Sequence, residues 1–291
     1  MGLMEFNFMP FGLSTAASTF QRAMQKVLGR LPFIVSYFDD IMAYSNTWLE
    51  HLNHLQMALQ TIQDAGLTAR PKKSLVGFTS IEFLGHIVSG GTIQPDEAKK
   101  SKIENITPPT IKKEVQRICG LLNYYRRFIP HFSELARPLT DLTRCRGKIV
   151  WTAECQKSVK ILLTSEPILR IPDLSKSFVV QADASQYAIG AVLMQQHDGV
   201  LLPCYYASRK LLDREVQYAI IEKECSAIVF ALHTFAKYLL MRPFYIQTDH
   251  KPLTFLVQNK SRNSLHFIFS PYPVHKMSSL KLSAGSINLF V

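Results

Sequence analysis

The chain has 291 residues, of which 47% are hydrophobic and 19% are charged. This length suffices for two domains of ordinary size, and this composition excludes a chain that is disordered throughout. The formal net charge of +11 favours either a polyanionic partner or a generally basic soluble protein. Residues 101–170 hold 13 basic and 6 acidic residues, so we expect this segment to form a surface that follows backbone phosphates.

The five cysteines are scattered and form no C-x-x-C pair. This spacing predicts neither a zinc site nor a disulfide framework, and it favours a reducing compartment. The N-terminus shows no signal-peptide pattern, and no apolar run is long enough to cross a membrane. We therefore expect an intracellular protein with no membrane partner, and the sequence leaves cytoplasm and nucleus as alternatives.

The first hundred residues read as alternating helices and strands. The predicted elements, in chain order, are a helix over 13–28, strands over 33–38 and 41–44, a helix over 47–65 and a strand over 81–88. Thr47 and Glu50 have the spacing of a capping box at the start of the second helix. The apolar stripe expected on that helix consists of Leu49, Leu52, Leu55, Leu59 and Ile62.

The remainder of the chain divides into a basic segment and a sheet. A basic helix is expected from Lys112 to about Phe128, and prolines then punctuate the chain up to a junction between 148 and 173. The elements predicted beyond the junction are strands over 178–182, 189–195 and 201–206, a helix over 220–239 and a strand over 244–248. The order β-β-β-α-β predicts a mixed sheet with helices packed on it.

Asp39 and Asp40 lie side by side at the tip of the predicted hairpin. At a tight turn both carboxylates can stay near one side, where they would supply the hard oxygen ligands that Mg²⁺ prefers. Two such ions bridge the attacking and leaving oxygens in phosphoryl transfer. The alternative is an Asp-Asp turn that only solvates the hairpin.

A second set of carboxylates is spread over the predicted sheet. Asp183 follows its first strand and Asp249 ends its last strand. Glu224 lies on the helix, on the same apolar face as Ala227 and Ala231, where an unpaired carboxylate needs compensation such as a metal ion. The neighbouring Glu222 is the less favoured choice because it lies off that face.

Several motifs, in this order, resemble those of gypsy-like LTR retrotransposon Pol polyproteins. The resemblance covers roughly residues 5–256. In chain order, the motifs are residues 5–13 and 19–22, the Tyr37-Phe38-Asp39-Asp40 box, residues 83–86 and 88–89, and then residues 120–129, 218–230 and 248–253. Thr15 and Ala17 stand where the family usually has Asn and Pro.

The resemblance implies a mixed α/β (α+β) fold, in which a partial reverse transcriptase palm and thumb precede a ribonuclease H-like mixed β-sheet domain. The implied boundaries are 1–92 for the partial palm, 93–170 for the basic thumb and connection, 171–257 for the ribonuclease H-like domain and 258–291 for a disordered, non-family tail. The implied activities are RNA-directed DNA polymerisation and ribonuclease H cleavage of RNA–DNA hybrids.

By the same resemblance, Mg²⁺, or Mn²⁺ in its place, binds at five catalytic carboxylates. These are Asp39, Asp40, Asp183, Glu224 and Asp249. RNA, DNA, their hybrid and a dNTP are the implied partners. The candidate nucleic-acid-binding residues are Lys112, Lys113, Arg126 and Arg127, which are otherwise ordinary solvated charges, together with Gly85 and His86 of the strand that resembles the family's primer grip. His51 and His54 are expected to pack or be solvated rather than to bind metal.

We expect the activity of this chain to be impaired, because the resemblance places a third polymerase Asp before Glu5 and a fourth nuclease carboxylate after Asp249. Primer extension is then not expected, and the nuclease site is expected to bind metal without efficient cleavage. The alternative function is a catalytically inactive retroelement remnant that acts at most as a nucleic-acid-binding protein.

Overall fold

The structure, a computed structural model, describes residue 9 and residues 12–96, 107–145, 147–164 and 168–248. The chain divides into two compact units, residues 1–85 and 86–291. No helix within the described ranges is long and apolar enough to cross a membrane. The domain boundaries inferred from the resemblance, at residues 92, 170 and 257, stay predictions.

The first unit combines two helices with a short hairpin. Its elements are α1 (Ala16–Leu28), β1 (Ile34–Tyr37), β2 (Asp40–Ala43), α2 (Trp48–Asp64) and β3 (Ser80–Phe83). Strands β1 and β2 pair antiparallel, with Tyr37 opposite Asp40 at the tip. Thr47 caps α2 by accepting a hydrogen bond from the Glu50 amide, as its spacing predicts.

The apolar stripe predicted for α2 is only partly buried. Ala58 and Ile62 are buried, and Ile62 packs with Met24 and Leu28 of α1 in a small core. Leu49 and Leu59 are exposed by 72% and 55%, because the two-stranded hairpin and α1 cover only one side of the helix within this unit.

The second unit begins with a small antiparallel sheet and a cluster of helices. Its first elements are β4 (His86–Ser89), β5 (Thr92–Pro95), α3 (Lys112–Tyr124), α4 (Phe132–Leu135), α5 (Arg137–Arg144), α6 (Ala153–Thr164) and β6 (Leu169–Arg170). Strand β5 lies between β4 and β6. A 3₁₀ turn over Arg126–Phe128 follows α3, so the basic helix is four residues shorter than expected. The helices pack around Phe128, Leu122 and Leu139, and residues 107–164 are called the connection below.

A larger sheet occupies the rest of the unit and confirms the predicted order β-β-β-α-β. Its elements are β7 (Phe178–Ala184), β8 (Ala188–His197), β9 (Val200–Lys210), α7 (Asp213–Val216), α8 (Ile220–Leu239) and β10 (Phe244–Gln247). The strand order is β10-β7-β8-β9, in which only the β10–β7 pair is parallel. Helix α8 packs on one face of this sheet through Ala227, Ala231 and Phe235, and the predicted mixed α/β fold is confirmed.

Candidate functional site: two sets of carboxylates

The tip of the β1–β2 hairpin exposes both aspartates of the first set. Asp39 lies in the turn and Asp40 begins β2, and both residues are exposed. Phe38, just before them, has a left-handed backbone with φ of 49°. This conformation is uncommon for a bulky side chain, so the turn needs support from outside the hairpin.

Gln21 of α1 provides that support with both ends of its amide. Its Nε2 donates to the carbonyl oxygen of Ser36 at 3.0 Å, and its Oε1 accepts a hydrogen bond from the Phe38 amide. The tip is thereby fixed on both sides of Tyr37. Sequence reasoning placed Gln21 in a motif but gave it no contact with the hairpin, since no spacing links residues 15 to 17 positions apart.

His54 of α2 holds the base of the same hairpin. Its ring stacks on Phe33 with the ring centres 3.7 Å apart and the planes 3° from parallel. Its Nδ1 lies 3.1 Å from the carbonyl oxygen of Tyr44 and 2.7 Å from the hydroxyl of Ser45. The ring therefore contacts the chain before β1 and after β2, which supports the packing role expected for this histidine.

Asp183 of the second set lies on the face of the large sheet that the connection covers. Asp183 pairs with Gly190, and Gly190 pairs with Ser208 across β7, β8 and β9. Ser208 bonds to Ser133 of the connection, which fixes the side to which this row of three residues points. The adjacent row, Ala182, Ala191 and Ala207, is buried on the opposite face, in the core with α8.

A crevice about the size of one water molecule separates Asp183 from the connection. It is lined by His131, Glu134, Asp183, Ser185, Ala188, Ile189, Gly190 and Ser208. A Cβ atom on Gly190 would lie 3.6 Å from Nδ1 of His131, so the connection approaches the sheet closely at this point. Sequence reasoning did not place His131 or Glu134 near Asp183, because the chain brings them together over about 50 residues.

Glu224 reaches the same edge of the sheet from the other face. It is only 6% exposed and lies on the side of α8 that packs on the sheet. Glu222 is exposed, and its Oε2 accepts a hydrogen bond from the Ala219 amide, which caps the helix. The two glutamates thus have different environments, and the cap accounts for Glu222 without a metal.

The topology places the N-terminal end of α8 near the carboxyl end of β7. Strands β7, β9 and β10 all run in one direction, and α8 connects β9 to β10 across the sheet. The helix must therefore run back against these strands, so its first turns lie over their carboxyl ends. Asp183 lies at that end of β7, and Glu224 lies in the second turn of α8.

Asp249 lies outside the described residues, directly after the buried Thr248. Among the described residues no group of three or more His, Cys, Asp or Glu side chains is close enough to hold a metal ion. Asp39, Asp40, Asp183 and Glu224 are all carboxylates, the ligand type that suits Mg²⁺ and Mn²⁺. Their chemistry fits a divalent ion in both sets.

The candidate nucleic-acid-binding residues lie in different surroundings. Lys112 and Lys113 are exposed in the first turn of α3. His86 stacks on Tyr124, with ring centres 5.1 Å apart, and Gly85 has a left-handed backbone with φ of 70°. These assignments stay predictions.

Arg126 and Arg127 are adjacent but differ in their contacts. Arg126 donates hydrogen bonds to the carbonyl oxygen of Ser208 on β9 and to the side chain of Asn123. Arg127 has a buried Nε atom without a hydrogen-bond partner. Burial lowers the pKa of the Arg127 guanidinium, and nearby Tyr205, Tyr238 and Tyr124 oppose that shift.

Two family patterns match separate parts of the sequence. Residues 1–88 match the family described as reverse transcriptase (RNA-dependent DNA polymerase). Residues 173–268 match the family described as an RNase H-like domain found in reverse transcriptase. The first match contains the Asp39–Asp40 hairpin, and the second contains Asp183, Glu224 and Asp249.

Curated relatives match nearly the whole chain. The Retrovirus-related Pol polyprotein from transposon 297 of Drosophila melanogaster is 40% identical over 261 residues, which are 88% of this chain and 24% of that protein. The Pol polyprotein from transposon opus of the same fly is 36% identical, over 90% of this chain and 28% of that protein. The Transposon Tf2-3 polyprotein of Schizosaccharomyces pombe is 33% identical, over 89% of this chain and 20% of that protein. The chain therefore spans about a quarter of the length of these relatives.

Solved structures of a foamy viral protease-reverse transcriptase have the same fold. One, in complex with double-stranded DNA, has a TM-score of 0.77 and 26% identity, and the match covers 88% of this chain and 47% of that one. Another, in complex with an RNA/DNA hybrid, has a TM-score of 0.75 and 26% identity, and the match covers 94% of this chain and 40% of that one.

Proposed function

Because the chain belongs to the reverse transcriptase and RNase H-like families of retrotransposon Pol polyproteins, we propose that it serves the copying of RNA into DNA and the cutting of RNA in the resulting hybrid. The observation that carries the proposal is the placement of the two carboxylate sets. Asp39 and Asp40 lie in the turn before β2 and at the start of β2, whereas Asp183 lies near the end of β7 and Glu224 lies on α8. Each set falls in the part of the chain that matches the corresponding family.

In the polymerase part, Asp39 and Asp40 are the proposed ligands of Mg²⁺. When bound, the ion stabilises the charge that develops on the phosphate oxygens of the incoming dNTP. The exposed tip lets both carboxylates reach an ion, and Gln21 bonds to the chain on both sides of Tyr37. Rigid placement matters because the ligands must not reorganise during the reaction.

In the nuclease part, Asp183, Glu224 and Asp249 are the proposed ligands of Mg²⁺, with Mn²⁺ as a substitute. The bound ion supplies an activated water and stabilises the charge on the cleaved phosphodiester. Glu224 is buried on the side of α8 that packs on the sheet, and its carboxylate is the ligand type that suits a divalent cation. Asp183 is exposed, so its carboxylate is accessible to an ion.

RNA, DNA and their hybrid are the proposed nucleic-acid partners. The foamy viral relatives are described in complex with double-stranded DNA and with an RNA/DNA hybrid. The net charge of +11 supports the same class of partner. All five cysteines are free, which supports an intracellular site of action.

The test is cleavage of a labelled RNA in an RNA–DNA hybrid, measured in Mg²⁺ under single-turnover conditions with the protein in excess. Asp183→Asn and Glu224→Gln should each lower the rate by about 10² to 10³ relative to the unchanged chain. Glu222→Gln is the matched control and should retain the rate, because Glu222 serves as a helix cap. Equal rates in all four proteins would overturn the nuclease assignment.

Primer extension with dNTPs tests the polymerase assignment in the same preparation. Any template-dependent incorporation should be lost in Asp39→Asn, while Asp64→Asn, an exposed carboxylate at the end of α2, should leave it unchanged. Hybrid binding without incorporation or cleavage would favour the alternative function, a non-catalytic nucleic-acid-binding protein.

A further inference from the structure

The connection contacts the turn between β7 and β8 through Arg137, the first residue of α5. The guanidinium carbon of Arg137 lies 3.8 Å from the centre of the Tyr187 ring, and Tyr187 is 40% exposed. Tyr187 lies between Ser185 and Ala188 in the chain, and both of these residues line the crevice described above. The contact therefore joins the connection to the turn that follows Asp183, a proposed metal ligand.

A shared carboxylate holds Arg137 in place. The Nε atom of Arg137 lies 3.6 Å from Oδ2 of Asp141, one turn further along α5. The other oxygen of Asp141, Oδ1, accepts a hydrogen bond from Nζ of Lys210 at 2.9 Å. Lys210 ends β9 and pairs there with Ala188, the first residue of β8. The contacts thus lead from the connection back to the strand that begins directly after the turn.

Hydrogen bonds within the sheet fix the backbone of the same turn. The Ser185 amide donates to the carbonyl oxygen of Ala188 at 2.8 Å, and the Ser185 hydroxyl accepts from the Ala188 amide at 3.1 Å. The Leu211 amide, directly after β9, donates to the carbonyl oxygen of Tyr187 at 2.9 Å. The sheet therefore holds the backbone of the turn, and Arg137 holds the Tyr187 side chain from the connection.

The position of this turn matters because Asp183 lies at the end of a strand. It is the last residue but one of β7, and a single further pair, Ala184 with Ile189, closes the ladder. A metal ligand has to be held within about 0.5 Å of its productive position, and groups outside the ligands supply much of that support. The side chains of Arg137 and Asp141 are 44% and 51% exposed. Exposed pairs of this kind add little to stability, so the contact is expected to act on placement.

We propose that Arg137 is a positioning residue of the nuclease site, which holds Tyr187 and, through the turn, keeps Asp183 in the orientation that binds the metal ion. This inference rests on the proposed function and deepens it, because it assigns the connection a part in shaping that site. Arg137 acts through Tyr187 and not on the ion. A guanidinium suits this role because its flat face lies over an aromatic ring while its edge pairs with a carboxylate.

The experiment is a Mn²⁺ titration followed by electron paramagnetic resonance. The background carries Asp39→Asn and Asp40→Asn, so that the hairpin tip contributes no binding. Arg137→Met should weaken Mn²⁺ binding about tenfold, as expected for the loss of a group that supports a ligand from outside. Arg144→Met is the matched control, because it removes an exposed cation from the last turn of the same helix, and it should bind as the background does.

Conservative substitutions test the contact itself. Tyr187→Phe keeps the aromatic face and should keep the Mn²⁺ affinity, whereas Tyr187→Leu should weaken binding as far as Arg137→Met does. Arg137→Lys keeps a cation over the ring and should restore most of the affinity. Hydrogen exchange of the Leu211 amide, which donates to Tyr187, reads the turn without metal. It should become faster in Arg137→Met and stay unchanged in Arg144→Met.

Binding of a labelled RNA–DNA hybrid in EDTA, measured by fluorescence anisotropy, tests the alternative that Arg137 contacts the substrate directly. Arg137→Met should lower the hybrid affinity no more than Arg144→Met does. The proposal is overturned if Arg137→Met keeps the full Mn²⁺ affinity, if it weakens hybrid binding alone, or if Tyr187→Phe loses as much Mn²⁺ affinity as Tyr187→Leu. Mn²⁺ binding that does not depend on Asp183 would contradict the proposed function as well, whereas an unchanged affinity confined to Arg137→Met leaves that function standing.

Discussion

The turn that carries Asp39 and Asp40 depends on one side chain of a neighbouring helix. Gln21 bonds to Ser36 and to Phe38, whose left-handed backbone would otherwise have no fixed partner on that side. Because the strands β1 and β2 have only four residues each, the hairpin has few bonds of its own. The positions of both carboxylates therefore depend on the side-chain amide of Gln21, which bonds to residues 15 and 17 positions away.

We predict that Gln21→Met destabilises the hairpin tip. The change leaves the Phe38 amide without its acceptor, which costs about 1–3 kcal/mol in unfolding free energy for a partly buried donor. Urea denaturation measures the loss, and hydrogen exchange of the Phe38 amide locates it. Gln25→Met, at an exposed position one turn further along α1, is the control and should change the unfolding free energy little. Equal losses in the two variants would contradict the role of Gln21.

Neighbouring residues of the same type have different environments in the structure. Helical spacing favours Glu224 over Glu222, and the structure agrees, because Glu224 is buried against the sheet and Glu222 caps the helix. No periodicity distinguishes Arg126 from Arg127, because Arg126 bonds to Ser208 of β9, 82 positions away, and the Nε of Arg127 has no hydrogen-bond partner. Residue patterns therefore predict which glutamate faces the sheet, and they do not distinguish the two arginines.

The connection and the large sheet meet at a buried hydroxyl. Ser208 is 2% exposed, accepts a hydrogen bond from the Ser133 amide at 2.9 Å and donates to the Ser133 hydroxyl at 3.0 Å. Its own carbonyl oxygen accepts from Arg126. Ser208 of β9 thus bonds to two residues of the connection, Arg126 and Ser133, at the opposite end of the row that contains Asp183.

We predict that Ser208→Ala weakens this junction. The Ser133 amide loses its acceptor in a buried place, so the unfolding free energy should fall by about 1–3 kcal/mol. Ser226→Ala is the control, since its hydroxyl only bonds back to Glu222 on the surface of α8 and its loss should cost less than about 0.5 kcal/mol. Urea denaturation of both variants measures these losses. An unfolding free energy that stays unchanged in Ser208→Ala would show that this hydroxyl does not hold the junction.

An ion pair joins the end of β9 to the short helix before α8. The two terminal guanidinium nitrogens of Arg209, Nη1 and Nη2, donate to the carboxylate of Glu215. This carboxylate also accepts a hydrogen bond from the Leu212 amide at 2.8 Å. These hydrogen bonds, chiefly that from Arg209, hold the pKa of Glu215 below its usual value. The pair fixes the chain just upstream of the helix that carries Glu224.

We predict a pH-dependent loss of stability in Glu215→Gln. A carboxylate whose folded pKa is depressed contributes stability above its unfolded pKa of about 4.3, and loses it as the pH falls through the folded value. At pH 7 the variant should therefore be less stable by about 1–3 kcal/mol, and the difference should shrink below about pH 4. Thermal unfolding at pH 7, 5 and 3.5 measures this, with the exposed Asp213→Asn as control. A difference that stays constant with pH would refute the charged pairing.

Elements with clear periodicity could be predicted from the sequence. The strands β7, β8 and β9 and the helix α8 occur where alternation and helical spacing place them, because each element has one face in a common core. The stripe on α2 failed as an indicator of burial, because Leu49 and Leu59 have no covering element within the first unit. The approach of His131 to Gly190 was not predictable, since it depends on how the connection packs on the sheet.

The whole chain consists of two compact units with one carboxylate set in each. Asp39 and Asp40 lie in the first unit, and Asp183 and Glu224 lie in the second, together with the connection. The basic excess of residues 101–170 falls in the second unit. We propose that Asp183 and Glu224, which approach the carboxyl end of β7 from opposite faces of the sheet, serve a single metal site.

A Mn²⁺ titration followed by electron paramagnetic resonance tests this claim most directly. The background carries Asp39→Asn and Asp40→Asn, so that the hairpin tip contributes no binding. Asp183→Asn and Glu224→Gln should each weaken binding at least about tenfold, equivalent to roughly 1.4 kcal/mol. The double variant should be little weaker than either single one, because ligands of one ion are not independent. Glu222→Gln should bind as the background does. An unchanged Mn²⁺ affinity in Asp183→Asn, or additive losses of affinity in the double variant, would contradict a single metal site formed by Asp183 and Glu224.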